Sequence, residues 1–227
     1  MTTLQVFSID ALPDEPWRNG GGRTRTIATQ SREALADQAS DGVTWDWRVS
    51  VATLEGDAAF SSFPGIERTS VLLSAGSVTL HVGDQTPHRL EHTGDLLHYP
   101  GDAPSHATLD GAVTTPTRGA GVSLLNVMTR RGAARARVRA LQDGATLSAQ
   151  ALAVLVVEGC WQVAEPASPR MEDGRTASLP HTFDLSPGQG AWNGWAPMQP
   201  RRTEQLQLNR LSPDGLLVAI EIDSTHA

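Results

Sequence analysis

A chain of 227 residues, 39% of them hydrophobic, can bury either one core or two fused halves. Its formal charge of -7 offers no basic surface to a phosphate backbone, and its 18 basic residues, all arginine, are scattered along the chain. One cysteine excludes an internal disulfide, no apolar run approaches membrane-spanning length, and "MTTLQVFSIDALPDEP" lacks the basic and apolar regions of a signal peptide. The expectation is a soluble, cytoplasmic protein with neither nucleic-acid nor membrane partners.

In chain order, the first unusual stretch is "PWRNGGGRTRTIA" from Pro16 to Ala28. Asn19-Gly20 is a strong hairpin signal, but the further glycines need another cause: backbone amides aimed at an anion, or close approach of a ligand or another strand. "SREALADQAS" from Ser31 reads as a short helix. "VTWDWRVSVATL" from Val43 alternates as a strand does, and "SVLLSAGSVTLHVG" from Ser70 reads as two strands around Gly76. The Arg/Ala-rich run from Arg131 to Leu141 reads as a second short helix or a connecting segment, where the β pattern lapses.

Beyond it the pattern repeats. "AVLVVEGCWQVAEP" from Ala153 can be laid on the segment from Ser70, and "FDLSPGQGAWNGWAP" from Phe183 pairs loosely with "LEHTGDLLHYPGDAP" from Leu90. A duplicated all-β sandwich is the simplest source, with halves at 1–132 and 133–227 packed as one compact unit.

Metal chemistry would need converging ligands. His81, His88, His92, His98 and His106 lie in the first half and His181 and His226 in the second, with no His-x-His pair, so they read as scattered, solvated side chains and neither a metal nor a cofactor is expected. Cys160 sits in an apolar run and reads as a buried, inert thiol. There is no Gly-x-Ser-x-Gly elbow, and no lysine to complete a phosphate-cradling loop, so no catalytic residue is assigned.

The run "PWRNGGGRTRTIA", followed by "WDWRVSVATLEGDAAFSSFPGIERTSVLLSAG", "GDAP" and "LLNVMTRRG", resembles the HutD/Ves family of small bacterial proteins over roughly residues 4–222. The resemblance implies a cupin-like double β-sandwich (bicupin, an RmlC-like jelly roll) without established catalytic activity. It also implies a part in histidine utilisation, through binding a metabolite such as urocanate or an N-formyl or formimino derivative of glutamate. The family motifs fall on Trp17, Asn19, Gly20, Gly21 and Gly22; on Arg48 and Ser50; on Phe60, Ser61, Phe63, Pro64, Gly65 and Arg68; on Gly101 and Asp102; and on Asn126, Met128 and Arg131. In such a pocket Trp17, Phe60 and Phe63 would form walls, Arg68 would fork onto a ligand carboxylate, and Asn19, Asn126 and Asp102 would supply oriented contacts, with the glycines folding the loop over the cavity.

This chain departs from the pattern at Leu124, where an aspartate is expected, and around Arg25-Thr26, where an acidic residue often follows the threonine. Both remove negative charge near the presumed pocket. The leading expectation is a non-enzymatic binder of a small carboxylate, with homodimerisation left open. Its alternatives are a metal-independent enzyme acting on a small amide or imidazole with Asp102 as acid or base, and a protein-interaction module presenting "WNGWAP" from Trp192.

Overall fold

Short runs in which branched and aromatic side chains alternate with small polar ones build strands almost throughout. The computed structural model describes residues 4–31, 43–110, 121–165, 181–193 and 204–225. Among the described residues the strands form four sheets, antiparallel in every register seen, and the one helical element is a single 3-10 turn, Ile9–Ala11. Of the stretch expected to be a helix, 31–40, Ser31 ends a strand and the rest lies outside the described residues.

The chain divides into two units, one formed by Ile9–Ala136 with the end of the chain from Ser224, the other by Arg137–Asp223 with the N-terminal strand. That strand, β1 (Gln5–Ser8), adds to a sheet of the second unit. In the first unit come β2 (Glu15–Pro16), β3 (Gly22–Ser31), β4 (Trp45–Leu54), β5 (Ala58–Phe60), β6 (Ile66–Leu72), β7 (Ser77–Val82), β8 (His88–Leu90), β9 (Leu96–Pro100), β10 (Ser105–Asp110) and β11 (Val122–Arg130). Strands β2-β3-β4-β11-β6-β9 form one sheet and β5-β10-β7-β8 the other.

After them come β12 (Ala134–Leu141), β13 (Ala145–Ala149), β14 (Ala151–Glu158), β15 (Trp161–Ala164), β16 (Thr182–Leu185), β17 (Gln189–Asn193), β18 (Glu204–Arg210) and β19 (Leu216–Ser224). They form sheets in the order β1-β17-β14-β19-β12 and β13-β18-β15-β16. Removing β1, β2 and β3 leaves two sets of eight strands with the same connectivity: 4-11-6-9 over 5-10-7-8, then 12-19-14-17 over 13-18-15-16. The likeness reaches single hydrogen bonds, since Gly94 N–H donates to Leu72 O at 2.8 Å and Gly188 N–H to Val156 O at 2.9 Å.

The segment from Arg131 to Leu141 corrects the sequence reading. Most of it is strand β12, because "ARARVRAL" has the two-residue alternation of a strand even though alanine and arginine favour helices.

In the first unit one face of the large sheet changes character along its length. At one end Leu54, Leu72 and Leu124 are fully buried against Val78, Leu80 and Ala107 of the facing sheet. Toward the other end the same face carries Arg48, Ser50, Arg68, Ser70 and Asn126. The register sets Asn126 between Ser50 and Ser70, and Met128 between Arg48 and Arg68. The second unit keeps its interior apolar, with Trp161, Leu147, Leu152, Val154 and Leu217 at its centre.

Candidate functional site

The polar end of that face opens on a cavity of about 600 Å³ within the first unit. Residue alternation explains which side chains reach it. Arg48, Ser50 and Ala52 of β4, Asn126 and Met128 of β11 and Arg68 of β6 project from one face of neighbouring strands. The hairpin between β2 and β3 contributes Trp17, Arg18 and Asn19, β3 itself Thr24, and the end of β5 with the stretch after it Phe60, Ser61 and Phe63.

Arg68 dominates the electrostatics. It is 3% exposed, and its Nη2 donates to Asn126 Oδ1 at 3.3 Å, while its Nε and Nη1 are buried with no partner among the described residues. Burial pushes its pKa below the ordinary arginine value, and the neighbouring Tyr99 pulls the other way. Three rings surround the guanidinium, with Phe60, Tyr99 and Phe63 centroids 4.9, 5.3 and 6.0 Å from Cζ. Cation–π contacts soften the desolvation of a buried charge, but they leave its N–H donors unfilled.

Behind Arg68 runs a buried hydrogen-bond chain. Ser70 Oγ donates to Asn126 Oδ1 at 2.8 Å, so its 3.0 Å contact with the Tyr99 hydroxyl must be accepted from that hydroxyl. With Oδ1 taken by Arg68 and Ser70, what Asn126 has left to offer the cavity is its Nδ2 donor pair. Ser70 and Tyr99 were absent from the sequence-derived site. Tyr99, the one tyrosine in the chain, carried a usable signal, because a buried phenol needs a polar partner.

Ten of the sequence-derived residues line the cavity: Trp17, Asn19, Arg48, Ser50, Phe60, Ser61, Phe63, Arg68, Asn126 and Met128. The Trp17 indole N–H donates to Thr24 Oγ1 at 2.7 Å, and its ring meets Phe60 edge-on at 6.1 Å. Arg48 Nη2 donates to Thr26 Oγ1 at 2.7 Å, with Glu15 at 4.0 Å.

The glycines do not line the cavity; they make the hairpin that presents Trp17 and Asn19 to it. Gly20 has a left-handed φ of 73° and closes the turn by donating to Trp17 O at 3.1 Å. At Gly22 a Cβ would stand 2.4 Å from Thr53 O, so only glycine lets the two backbones approach. Gly21 lies against Ala58 and donates its N–H to Asn19 Oδ1 at 3.2 Å.

Asp102 and Arg131 also lie outside the cavity lining. Arg131 donates Nη1 and Nη2 to the two Asp102 oxygens at 2.8 and 2.7 Å, and its Nε to Glu67. The hydrogen bonds from Arg131 hold the Asp102 carboxyl down to about 2, which makes it an anion engaged elsewhere and unsuited to acid–base work in the cavity.

Neither sequence departure alters the pocket charge. Leu124 is fully buried in the apolar core, and Arg25 turns away from the cavity toward Asp14 and Asp10, at 3.6 and 3.7 Å. Two other readings change. Cys160 is exposed, in the turn between β14 and β15, and His81, though alone on β7, is not an isolated side chain, because His106 of β10 stacks on it at 4.2 Å across the β7–β10 pair. Among the described residues no group of three or more His, Cys, Asp or Glu is gathered as metal ligands would be.

These features define a class: an all-β, cupin-like protein of antiparallel sheets with a buried arginine in a lined cavity. The HutD family model matches residues 10–191, and the chain belongs to the HutD family. It is 33% identical over 164 residues to protein Ves of Citrobacter koseri, covering 71% of this chain and 77% of that protein. HutD from Pseudomonas fluorescens SBW25 superposes with a TM-score of 0.71 at 18% identity, covering 98% of this chain and 99% of that one. Oxalate decarboxylase from Bacillus subtilis shares the fold more distantly, with a TM-score of 0.55 at 11% identity, covering 100% of this chain and 79% of that one.

Proposed function

We propose that the protein is a bicupin whose first half binds a small carboxylate metabolite without transforming it, acting within histidine utilisation. The observation that carries this reading is Arg68. A buried guanidinium with two unfilled donors destabilises the ligand-free protein, and a carboxylate supplies the missing charge and acceptors in a site dry enough for the interaction to be strong.

Arg48 adds a second cation to the cavity wall, two strands from Arg68 and therefore about 10 Å away along the sheet. Two separated cations favour a dicarboxylate, so N-formylglutamate fits better than urocanate. The Asn126 amide and the Ser50 hydroxyl are suited to the formyl group between them. The repeated eight-strand topology supports the bicupin assignment.

Calorimetric titration with N-formylglutamate, urocanate, glutamate and histidine at one ionic strength tests the reading. The parent should bind N-formylglutamate below millimolar, and Arg68→Ala should lose over tenfold in affinity, on the order of 2 kcal/mol. Absence of sub-millimolar binding by any of the four removes the basis for the proposal.

A further inference from the structure

The stretch from Phe60 to Ile66 has two sides with different partners. On one side the Phe60 and Phe63 rings stand over the Arg68 guanidinium. On the other it is fastened to two neighbouring turns that line no part of the cavity. Within the stretch, Ile66 N–H donates to Phe63 O at 3.2 Å across Pro64-Gly65, a type II turn with Gly65 at φ 72°.

The fastening begins with backbone. Phe63 N–H donates to Gly101 O at 2.7 Å, Gly101 N–H to Ile66 O at 2.7 Å, and Arg131 N–H to Gly65 O at 2.9 Å. A Cβ at Gly101 would stand 3.0 Å from Ile66 O, so the two turns touch through their main chains. Side chains complete it. Ser62 Oγ donates to Asp102 O at 3.3 Å, and the Arg131 fork ties Asp102 to the base of the stretch through Glu67.

The unfilled Nε and Nη1 of Arg68 are shut off from solvent, and the Phe60 and Phe63 rings stand over the same guanidinium. We propose that Asp102 and Arg131 are positioning residues for the anion site, their ion pair latching the Phe60–Phe63 segment as a shutter over Arg68. The shutter keeps the guanidinium dry, opens to admit the carboxylate and closes again over it. The ligand part of this inference rests on the reading of the cavity as an anion site; the shielding of Arg68 does not.

Phenylglyoxal modification of the full-length chain, read by peptide mass mapping, measures the shielding without any ligand. Asp102→Asn and Arg131→Gln should label at Arg68 about fivefold faster than the parent, the population change brought by losing one well-formed exposed ion pair. Asp102→Glu should label like the parent, and labelling at Arg48 should be the same in all four proteins. Stopped-flow mixing with N-formylglutamate should show association and dissociation both accelerated in Asp102→Asn, which general loosening of the fold would not produce. Equal Arg68 labelling in the parent and both latch variants overturns the inference. Faster labelling in a protein that binds no N-formylglutamate leaves the latch standing and removes the ligand assignment.

Discussion

The two halves share a strand order and differ in what they place on one face. Through the paired registers, Leu72 corresponds to Val156, Ser70 to Val154 and Arg68 to Leu152, while Asn126 corresponds to Ala219 and Tyr99 to Asn193. The first half therefore has an arginine and its hydrogen-bond chain where the second has Leu152, Val154 and Ala219, all buried in its core. The comparison teaches that the scaffold does not require the polar face. In the second half the same strand order closes on an apolar interior, and the first half gives up that packing to hold a charge.

The largest expected effect lies in the half without the charge. Trp161 is fully buried, so Trp161→Ala should cost about 3–5 kcal/mol in thermal or denaturant unfolding, with N-formylglutamate affinity unchanged at 25 °C. A loss below about 1 kcal/mol would mean that the second core is less tightly filled than its twin's position suggests.

The next converts one half toward the other. Arg68→Leu, which installs the residue found at Leu152, should abolish ligand binding while leaving stability unchanged or raising it by about 1–4 kcal/mol, because it removes an uncompensated buried charge. Asn126→Ala on its own should destabilise by about 1–3 kcal/mol, since it strips Arg68 and Ser70 of their shared acceptor, and in the Arg68→Leu background its cost should shrink. Additive costs in that double-mutant cycle would break the view of these residues as one unit.

The smallest effect belongs to the rim of the first half. The Arg131 hydrogen bonds lower the Asp102 carboxyl from 3.8 to about 2, so its contribution to stability is complete above about pH 4 and disappears as pH falls through about 2. The melting-temperature gap between the parent and Asp102→Asn should be present at pH 7 and close over that interval. A gap that persists unchanged at pH 2 would show that the pair is not its source.

Much of this contrast was legible in the sequence. Alternation located β4 and the β6–β7 hairpin around Gly76, and the family motifs gathered Arg68, Asn126 and the aromatic wall. β12 reads as a helix or connector because arginine and alanine carry helix propensity, whereas the two-residue period of its side chains decides for a strand. Asp102 and Arg131 were assigned to the pocket because a motif records which residues belong together without recording whether they touch a ligand or hold the segment that does. Ser70 was missed because one small hydroxyl in an apolar run has no signature until the register sets it beside Asn126.

The N-terminal strand has a consequence for synthesis. Its partner is β17, with Gln5 opposite Trp192 and Ser8 opposite Gln189, so β1 has no edge to join until almost the whole chain has left the ribosome. The cavity-bearing strands that follow it pair among themselves well before that. The nascent chain therefore carries β1 unpaired while the intervening strands form, and the loop that β1 closes with β17 runs from Ser8 to Gln189. Contacts so distant along the chain form slowly. Deleting β1 should thus be felt in the maturation of the unit that holds β17.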